Sequence, residues 1–293
     1  MQKLKTHPQG PTLSRIVVGV WRWHTLSHQQ IEILIHTALA SGITSFDHAD
    51  IYGNYSGEEV FGNVLRGKSS LRDSMEIITK CGIKLLSDKR PEHWIKHYDT
   101  SKEHIIKSVE NSLAMLSTDR IDLLLIHRPD PLLNPTEVAE AFTELKQQGK
   151  VLYFGASNFT STQLEMLQSF LSFPLVTNQI ELSLFKHQGL VDGTVDGMMK
   201  NRMSPMAWSP LGGGKHFEDE RTKNSLQGLS NHYHVSPTQL LLAWLLKHPS
   251  LIFPILGTTK PERIEEGAKS VDLILDRQHW FEMLKWVTVK DVA

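Results

Sequence analysis

Ile43-Thr44-Ser45-Phe46-Asp47-His48-Ala49-Asp50-Ile51-Tyr52-Gly53 decides the fold. A short apolar run ends on a carboxylate, and a tyrosine follows five positions later. The design recurs downstream, where Ile77-Ile78-Thr79 ends on Lys80 and Leu123-Leu124-Leu125-Ile126 ends on His127. Polar side chains at the exits of successive apolar strands suit a parallel barrel, because the carboxyl ends of its strands share one mouth and active sites occur there.

Working outward, eight short apolar or β-branched runs are predicted as strands, at 15–21, 44–46, 76–79, 122–126, 151–155, 175–180, 205–208 and 252–256. Most read as continuously apolar, as strands covered on both faces do. Helical patterns separate them. Ser27 is a plausible N-cap with Gln30 three residues on, and Ile31, Leu34, Ile35 and Ala38 recur at helical spacing until Gly42 stops them. Ile105, Val109, Leu113 and Leu116 repeat the pattern, as do Val138, Ala141, Phe142 and Leu145. Leu164, Leu167 and Leu171 follow, then Leu240, Leu241, Trp244 and Leu245. Strand alternating with helix means βα units and a parallel sheet. Eight such units without a composition break predict an α/β fold, one (β/α)8 TIM barrel forming a single domain over residues 1–293. Residues 211–225 are expected as a long loop at the functional end, and a last helix near 277–287 lies outside the eightfold cadence.

Composition excludes several classes of function. The 31 basic and 32 acidic residues of this 293-residue chain balance, leaving no electrostatic footprint for nucleic acid or an anionic membrane. No apolar run approaches the ~20 residues that span a bilayer. The polar opening, Met1-Gln2-Lys3-Leu4-Lys5, lacks the apolar core of a signal peptide. The single cysteine, Cys81, suits a reducing compartment, so a cytoplasmic location is expected. By strand alternation Cys81 should point away from Lys80 and pack as a thiol.

The strand-end groups make a proton-donating set. A free phenol has a pKa of about 10 and is a poor acid at neutral pH. A lysine ammonium beside Tyr52 is expected to lower that value, Asp47 to balance the ammonium, and His127 to orient a carbonyl oxygen. Singly, each residue has an ordinary structural use, as a turn former or a solvated charge. On three successive strand ends they make a site.

Phe46-Asp47-His48-Ala49-Asp50-Ile51-Tyr52-Gly53, Thr79-Lys80 and Leu125-Ile126-His127 resemble the Asp/Tyr/Lys/His tetrad of the aldo-keto reductases, in a bacterial branch of that family. The resemblance runs along the whole chain. It implies a barrel that passes hydride from NADPH to an aldehyde or ketone, with Tyr52 as proton donor. It also implies that Ser157, Asn158 and Gln179 hold the nicotinamide carboxamide. Trp208 would stack on the nicotinamide ring, and Ser209, Leu211 and Gly212 would cross the pyrophosphate. Gly257, Thr258, Thr259, Arg263 and Glu266 would close over the adenosine end. Arg263 would favour NADPH over NADH, and Glu266 would face the adenine. Trp21 and Trp23 would wall the substrate pocket, and a monomer is the family's default.

Two departures stand out: Gly257 replaces a frequent basic residue, and Gly267 a frequent Asn. The Rossmann fingerprint Gly-x-Gly-x-x-Gly is absent from the sequence, so a dinucleotide would bind in the barrel's own way. Two other readings compete. His48 and Asp50, with His127 elsewhere, would begin the metal site of a barrel hydrolase. A non-catalytic NADP(H)-binding sensor or scaffold would keep the nucleotide site without turnover. The expected assignment is metal-free.

Overall fold

The computed structural model describes residues 1–214 and 220–288. All eight predicted runs become strands: Val17–Gly19, Ser45–Asp47, Glu76–Cys81, Ile121–Ile126, Val151–Ser157, Leu175–Glu181, Met206–Trp208 and Phe253–Leu256. Each pairs in parallel with its neighbours in sequence, and the last returns to the first, with Ile255 opposite Val17, so the barrel closes. Its interior is filled by Val17, Ile78, Leu123, Leu125, Val176, Met206, Phe253 and Ile255. The intervening residues, such as Ile77, Leu124 and Ile126, face the helices.

The helices follow the predicted stripes. Helix His28–Ala40 opens with a complete capping box between Ser27 and Gln30 and stops before Gly42, whose φ of 77° favours glycine. Lys102–Met115, Pro135–Gln147, Ser161–Gln168 and Pro237–Leu246 cover the barrel. The last helix, Arg277–Thr288, is pinned by stacking of Trp280 on Trp244 with ring centroids 4.7 Å apart. Each indole N–H donates to the other's backbone carbonyl.

Several elements carry too weak a pattern to be read from sequence. An antiparallel hairpin, Lys3–Lys5 with Thr12–Ser14, closes the amino end of the barrel: Leu13 joins the interior cluster, and Ser14 Oγ accepts from the backbone of Thr44 and Ser45 at 3.2 Å. A second hairpin pairs Ile83–Lys84 with His97–Tyr98. Further helices are Gly57–Leu65, Ser69–Asp73, Thr194–Lys200, Glu220–Tyr233 and Pro261–Ala268. Helix Glu220–Tyr233 takes up the end of the predicted 211–225 loop; residues 215–219 of that loop lie outside the described residues, as do 289–293 of the tail. With its amino end plugged, the barrel opens at the carboxyl ends of its strands.

Candidate active site

Strand alternation aims Ile78 and Lys80 at the barrel axis and turns Ile77, Thr79 and Cys81 outward. Lys80, 1% exposed, lies at the carboxyl end of its strand. Its ammonium donates to Asp47 Oδ2 at 2.7 Å, to the His48 carbonyl at 2.7 Å and to Tyr52 Oη at 3.0 Å. All three of its donors are used, which a buried ammonium requires. The other Asp47 oxygen accepts from Gln179 Nε2 at 2.8 Å. Burial opposes the ammonium, but Asp47 and Tyr52 outweigh it and lift Lys80 above the ordinary lysine value.

Tyr52 opens a short turn, Tyr52–Tyr55, in which Gly53 and Asn54 take left-handed conformations. A side chain at Gly53 would run into His24. The expected lowering of the Tyr52 pKa is not realised in the free protein. Burial raises it and outweighs the Lys80 ammonium, and Asp47 adds to the rise. The phenol therefore stays protonated at neutral pH. The His127 ring stands edge-on to Tyr52, centroids 6.0 Å apart. Burial, with Lys80, Arg128 and Lys96 adding, pushes His127 well below the usual histidine range, so the ring is neutral. Its Nδ1 is buried with no hydrogen-bond partner.

Across the mouth, Ser157 Oγ donates to the Gln179 carbonyl at 2.9 Å and accepts from Asn158 Nδ2 at 2.7 Å. Asn158, held at a φ of 61°, accepts at Oδ1 from Trp208 Nε1 at 3.0 Å. Gly212 N donates to the Ser209 carbonyl at 2.8 Å, and Ser209 is also left-handed. Leu211 packs against the core clusters. Thr258 Oγ1 accepts from Lys260 N, while Thr259 and Arg263 are exposed and Glu266 is half-buried at the helix Pro261–Ala268. Thus the structure gathers Asp47, Tyr52, Lys80, His127, Ser157, Asn158, Gln179 and Trp208 at one mouth and sets the 257–266 segment at its rim.

The two tryptophans part company. Trp21 is 47% exposed at the rim, under the Arg22 guanidinium at 4.5 Å. Trp23 is 1% exposed and is not a pocket wall. It stacks on Phe61 in the layer between barrel and helices and donates to the Thr258 carbonyl at 2.7 Å, because the turn Trp23–Thr25 rotates it inward. Of the two glycine departures, Gly267 is the more confined, since the exposed Trp21 ring beside Gly257 can move. A Cβ at Gly257 would sit 3.0 Å from the Trp21 indole nitrogen, and one at Gly267 would meet the Leu256 side chain.

His48 and Asp50 do not converge on His127. His48 lies edge-on to Phe61 at 4.5 Å with both ring nitrogens unpartnered, and burial, then Lys80 and Arg72, lowers its pKa to about 3. Among the described residues no group of three or more His, Cys, Asp or Glu side chains is placed to hold a metal. Asp50 belongs with Glu58 on the outward face of strand Glu76–Cys81. Ser108 Oγ donates to Asp50 at 2.9 Å, and Thr79 and Ser112 donate to the two Glu58 oxygens at 2.6 and 2.9 Å. Burial raises both carboxyls to about 7. Cys81, as expected, is buried on that face, with burial first and then the nearby carboxylates raising its thiol well above the usual value.

Sequence reasoning missed the His48 carbonyl, a backbone group with no sequence signal, and the Glu58 carboxyl, whose helix was not read. The Arg128 guanidinium lies 5.5 Å from the Trp208 ring centroid.

With this geometry in place, similarity to known proteins settles the lineage. The sequence pattern described as "Aldo/keto reductase family" matches residues 15–285. The chain belongs to the aldo/keto reductase family. It is 46% identical to the uncharacterized oxidoreductase YcsN of Bacillus subtilis (strain 168), covering 95% of this chain and 96% of that one. It is 44% identical to a 6-dehydroglucose reductase of Agrobacterium fabrum (strain C58), covering 96% of each. Among solved structures, the thermostable aldo-keto reductase Tm1743, crystallised with the inhibitor epalrestat, superposes with a TM-score of 0.84 at 26% identity, over 98% of this chain and all of that one. No described helix is long and apolar enough to cross a membrane.

Proposed function

We propose that this family member is an NADPH-dependent reductase of aldehydes or ketones in which Tyr52 is the proton donor. One observation carries the reading: a fully buried ammonium, Lys80, is bonded at once to Asp47 and to the phenol of Tyr52, with neutral His127 across from it. The substrate oxygen sits between Tyr52 Oη and the His127 ring. A nicotinamide, held by Ser157, Asn158 and Gln179 when bound, would supply the hydride for the carbonyl carbon. This chain's residues manage the negative charge that then grows on oxygen. His127, being neutral, donates a hydrogen bond from its one N–H while leaving proton delivery to Tyr52. Tyr52 passes its phenolic proton to the oxygen, and the Lys80 ammonium steadies the phenolate left behind. Asp47 holds Lys80 in place, and Gln179 holds Asp47. Such fixed donors act without reorganisation when the charge appears.

The residues suit the cofactor. Ser157, Asn158 and Gln179 offer the mixture of donors and acceptors that a carboxamide needs, and the bonds from Asn158 to Ser157 and from Trp208 to Asn158 are ones a ligand amide can replace. The half-buried Trp208 offers a ring for stacking. At the adenosine end, helix Pro261–Ala268 begins without a side-chain cap; Pro261 has no N–H and Arg263 N donates to the Lys260 carbonyl, so the Glu262 amide is the first-turn donor left to meet a phosphate oxygen. Arg263 stands in that first turn without an ion-pair partner among the described residues.

A sugar-sized aldehyde is the first compound to offer, given the name of the Agrobacterium relative. The test is stoichiometric: purified protein should consume one NADPH per alcohol formed. Aldehyde loss without NADPH oxidation, or no loss across a broad aldehyde and ketone panel, contradicts the reading.

A further inference from the structure

Two arginines near the barrel contrast. Arg72 uses four of its five N–H donors: its guanidinium donates to Asp122, Thr118, the Met75 carbonyl and the Arg120 carbonyl. Arg128, directly after His127, is half-buried yet has no hydrogen bond or ion pair among the described residues. The carboxylate next in sequence, Asp130, is already committed. It accepts from Thr100 Oγ1 at 2.9 Å and from Leu132 N at 2.8 Å. Pro129 biases Arg128 toward an extended backbone, and the Trp208 ring supports its guanidinium at 5.5 Å. Its charge reaches both Tyr52 and His127. A half-buried guanidinium whose donors are not taken by the described protein groups, beside the reacting groups, is available to a ligand.

We infer that Arg128 is a specificity residue that binds an oxygen-bearing substituent of the carbonyl substrate, preferring a carboxylate to a hydroxyl and a hydroxyl to a methyl. This rests on the carbonyl-reductase reading. The planar guanidinium has five N–H donors and no acceptor, so it rewards oxygen acceptors and gains nothing from a methyl group. A carboxylate takes two of those donors in a fork, whereas a hydroxyl takes one. A charge-assisted bond of this kind corresponds to roughly tenfold to hundredfold discrimination. On the opposite rim, Arg22 covers Trp21 and donates to the Gly257 carbonyl at 3.4 Å, so it is partly engaged and Arg128 is the freer cation.

The experiment compares carboxy-, hydroxymethyl- and methylbenzaldehydes in their ortho, meta and para forms, with wild type, Arg128→Lys and Arg128→Met. Wild type should favour at least one carboxy isomer over its methyl counterpart by tenfold or more in kcat/KM, mainly through KM, with the hydroxymethyl compound between. Arg128→Met should abolish the ratio and Arg128→Lys should keep part of it. No wild-type preference, or one that survives in Arg128→Met, overturns the inference. So does an equal loss on all aldehydes with weaker NADPH binding, which would assign Arg128 to the cofactor. A second readout needs no turnover: 4-methylbenzoate should quench tryptophan fluorescence in wild type but not in Arg128→Met, while 4-methylbenzyl alcohol should quench weakly in both. Quenching by 4-methylbenzoate equal in the two proteins also overturns it. If wild type reduces none of the aldehydes while this contrast holds, the reductase reading fails and the anion site stands.

Discussion

The two faces of strand Glu76–Cys81 bury charge-bearing groups in opposite ways. Toward the barrel axis, Lys80 meets Asp47, the phenol of Tyr52 and the His48 carbonyl, and its charge is kept by pairing. Toward the helices, Asp50 and Glu58 share the layer with Ser108, Thr79 and Ser112 and hydrogen-bond to no cation among the described residues. There burial lifts both carboxyls to about 7, and they relax by taking up protons. One strand thus separates a pocket that preserves ionisation from a layer that suppresses it. Only the first can sustain a charge beside a reacting oxygen.

The comparison breaks most visibly if Lys80 is removed. Lys80→Met leaves Asp47 buried with Gln179 as its remaining side-chain donor and takes the ammonium from Tyr52. Removing one partner of a buried pair costs about 3–5 kcal/mol, and losing support for the acid should reduce turnover by roughly 10²–10⁴-fold. Denaturant unfolding and steady-state kinetics read the two effects. Stability within about 1 kcal/mol of wild type would mean the pair is not held as described.

The outward face answers to pH. A carboxyl raised in the folded state contributes stability that is fully present below its unfolded pKa, near 4, and is lost as pH rises through about 7. His48, lowered to about 3, works in the other direction, its contribution being present above the ordinary histidine value and lost toward acid. Comparing Glu58→Gln with wild type cancels the histidine terms. The amide stays neutral at every pH, so the variant should lose less stability between pH 5 and pH 8. At pH 8 it should exceed wild type by about 1–3 kcal/mol. Parallel stability-versus-pH curves would remove the contrast between the faces.

Arg263→Ala sharpens the account at the rim, where charges are exposed and effects are smaller. Wild type should bind NADPH more tightly than NADH by about tenfold to a hundredfold, with most of that ratio lost in the variant. Equal wild-type affinities would mean the ribose phosphate is read elsewhere. The smallest expected effect is that of a chelator, which should leave the rate unchanged, because His48 is packed on Phe61 and does not converge with Asp50 on a ligand site. Loss on chelation with recovery on zinc would reopen the metal reading.

Much of this was legible in sequence where local pattern and tertiary role agree. The eight strands announce themselves as apolar runs, and Asp47, Lys80 and His127 fall at their ends because the barrel places them there. Trp23, which the resemblance set at the pocket, lies four residues beyond the strand end at Gly19, where the turn Trp23–Thr25 sets direction and carries its indole to Thr258 and Phe61. The helix Glu220–Tyr233 was missed because its exposed faces are polar and its buried stripe is thin, with Thr222, Leu226, Leu229 and Ser230 inside. The elevation of Tyr52 was also beyond sequence. Its sign depends on how much burial offsets the neighbouring ammonium, and proximity alone suggested the reverse.

The central claim, that Tyr52 delivers the proton, is tested most directly by single-turnover reduction with Tyr52→Phe beside Glu58→Gln. Both proteins are loaded with NADPH and mixed with the same aldehyde. The account predicts that Tyr52→Phe retains NADPH binding but slows hydride transfer by about 10²–10⁴-fold. Glu58→Gln, altered across the strand from the reacting oxygen, should stay within about threefold of wild type. A Tyr52→Phe rate within tenfold of wild type would contradict it.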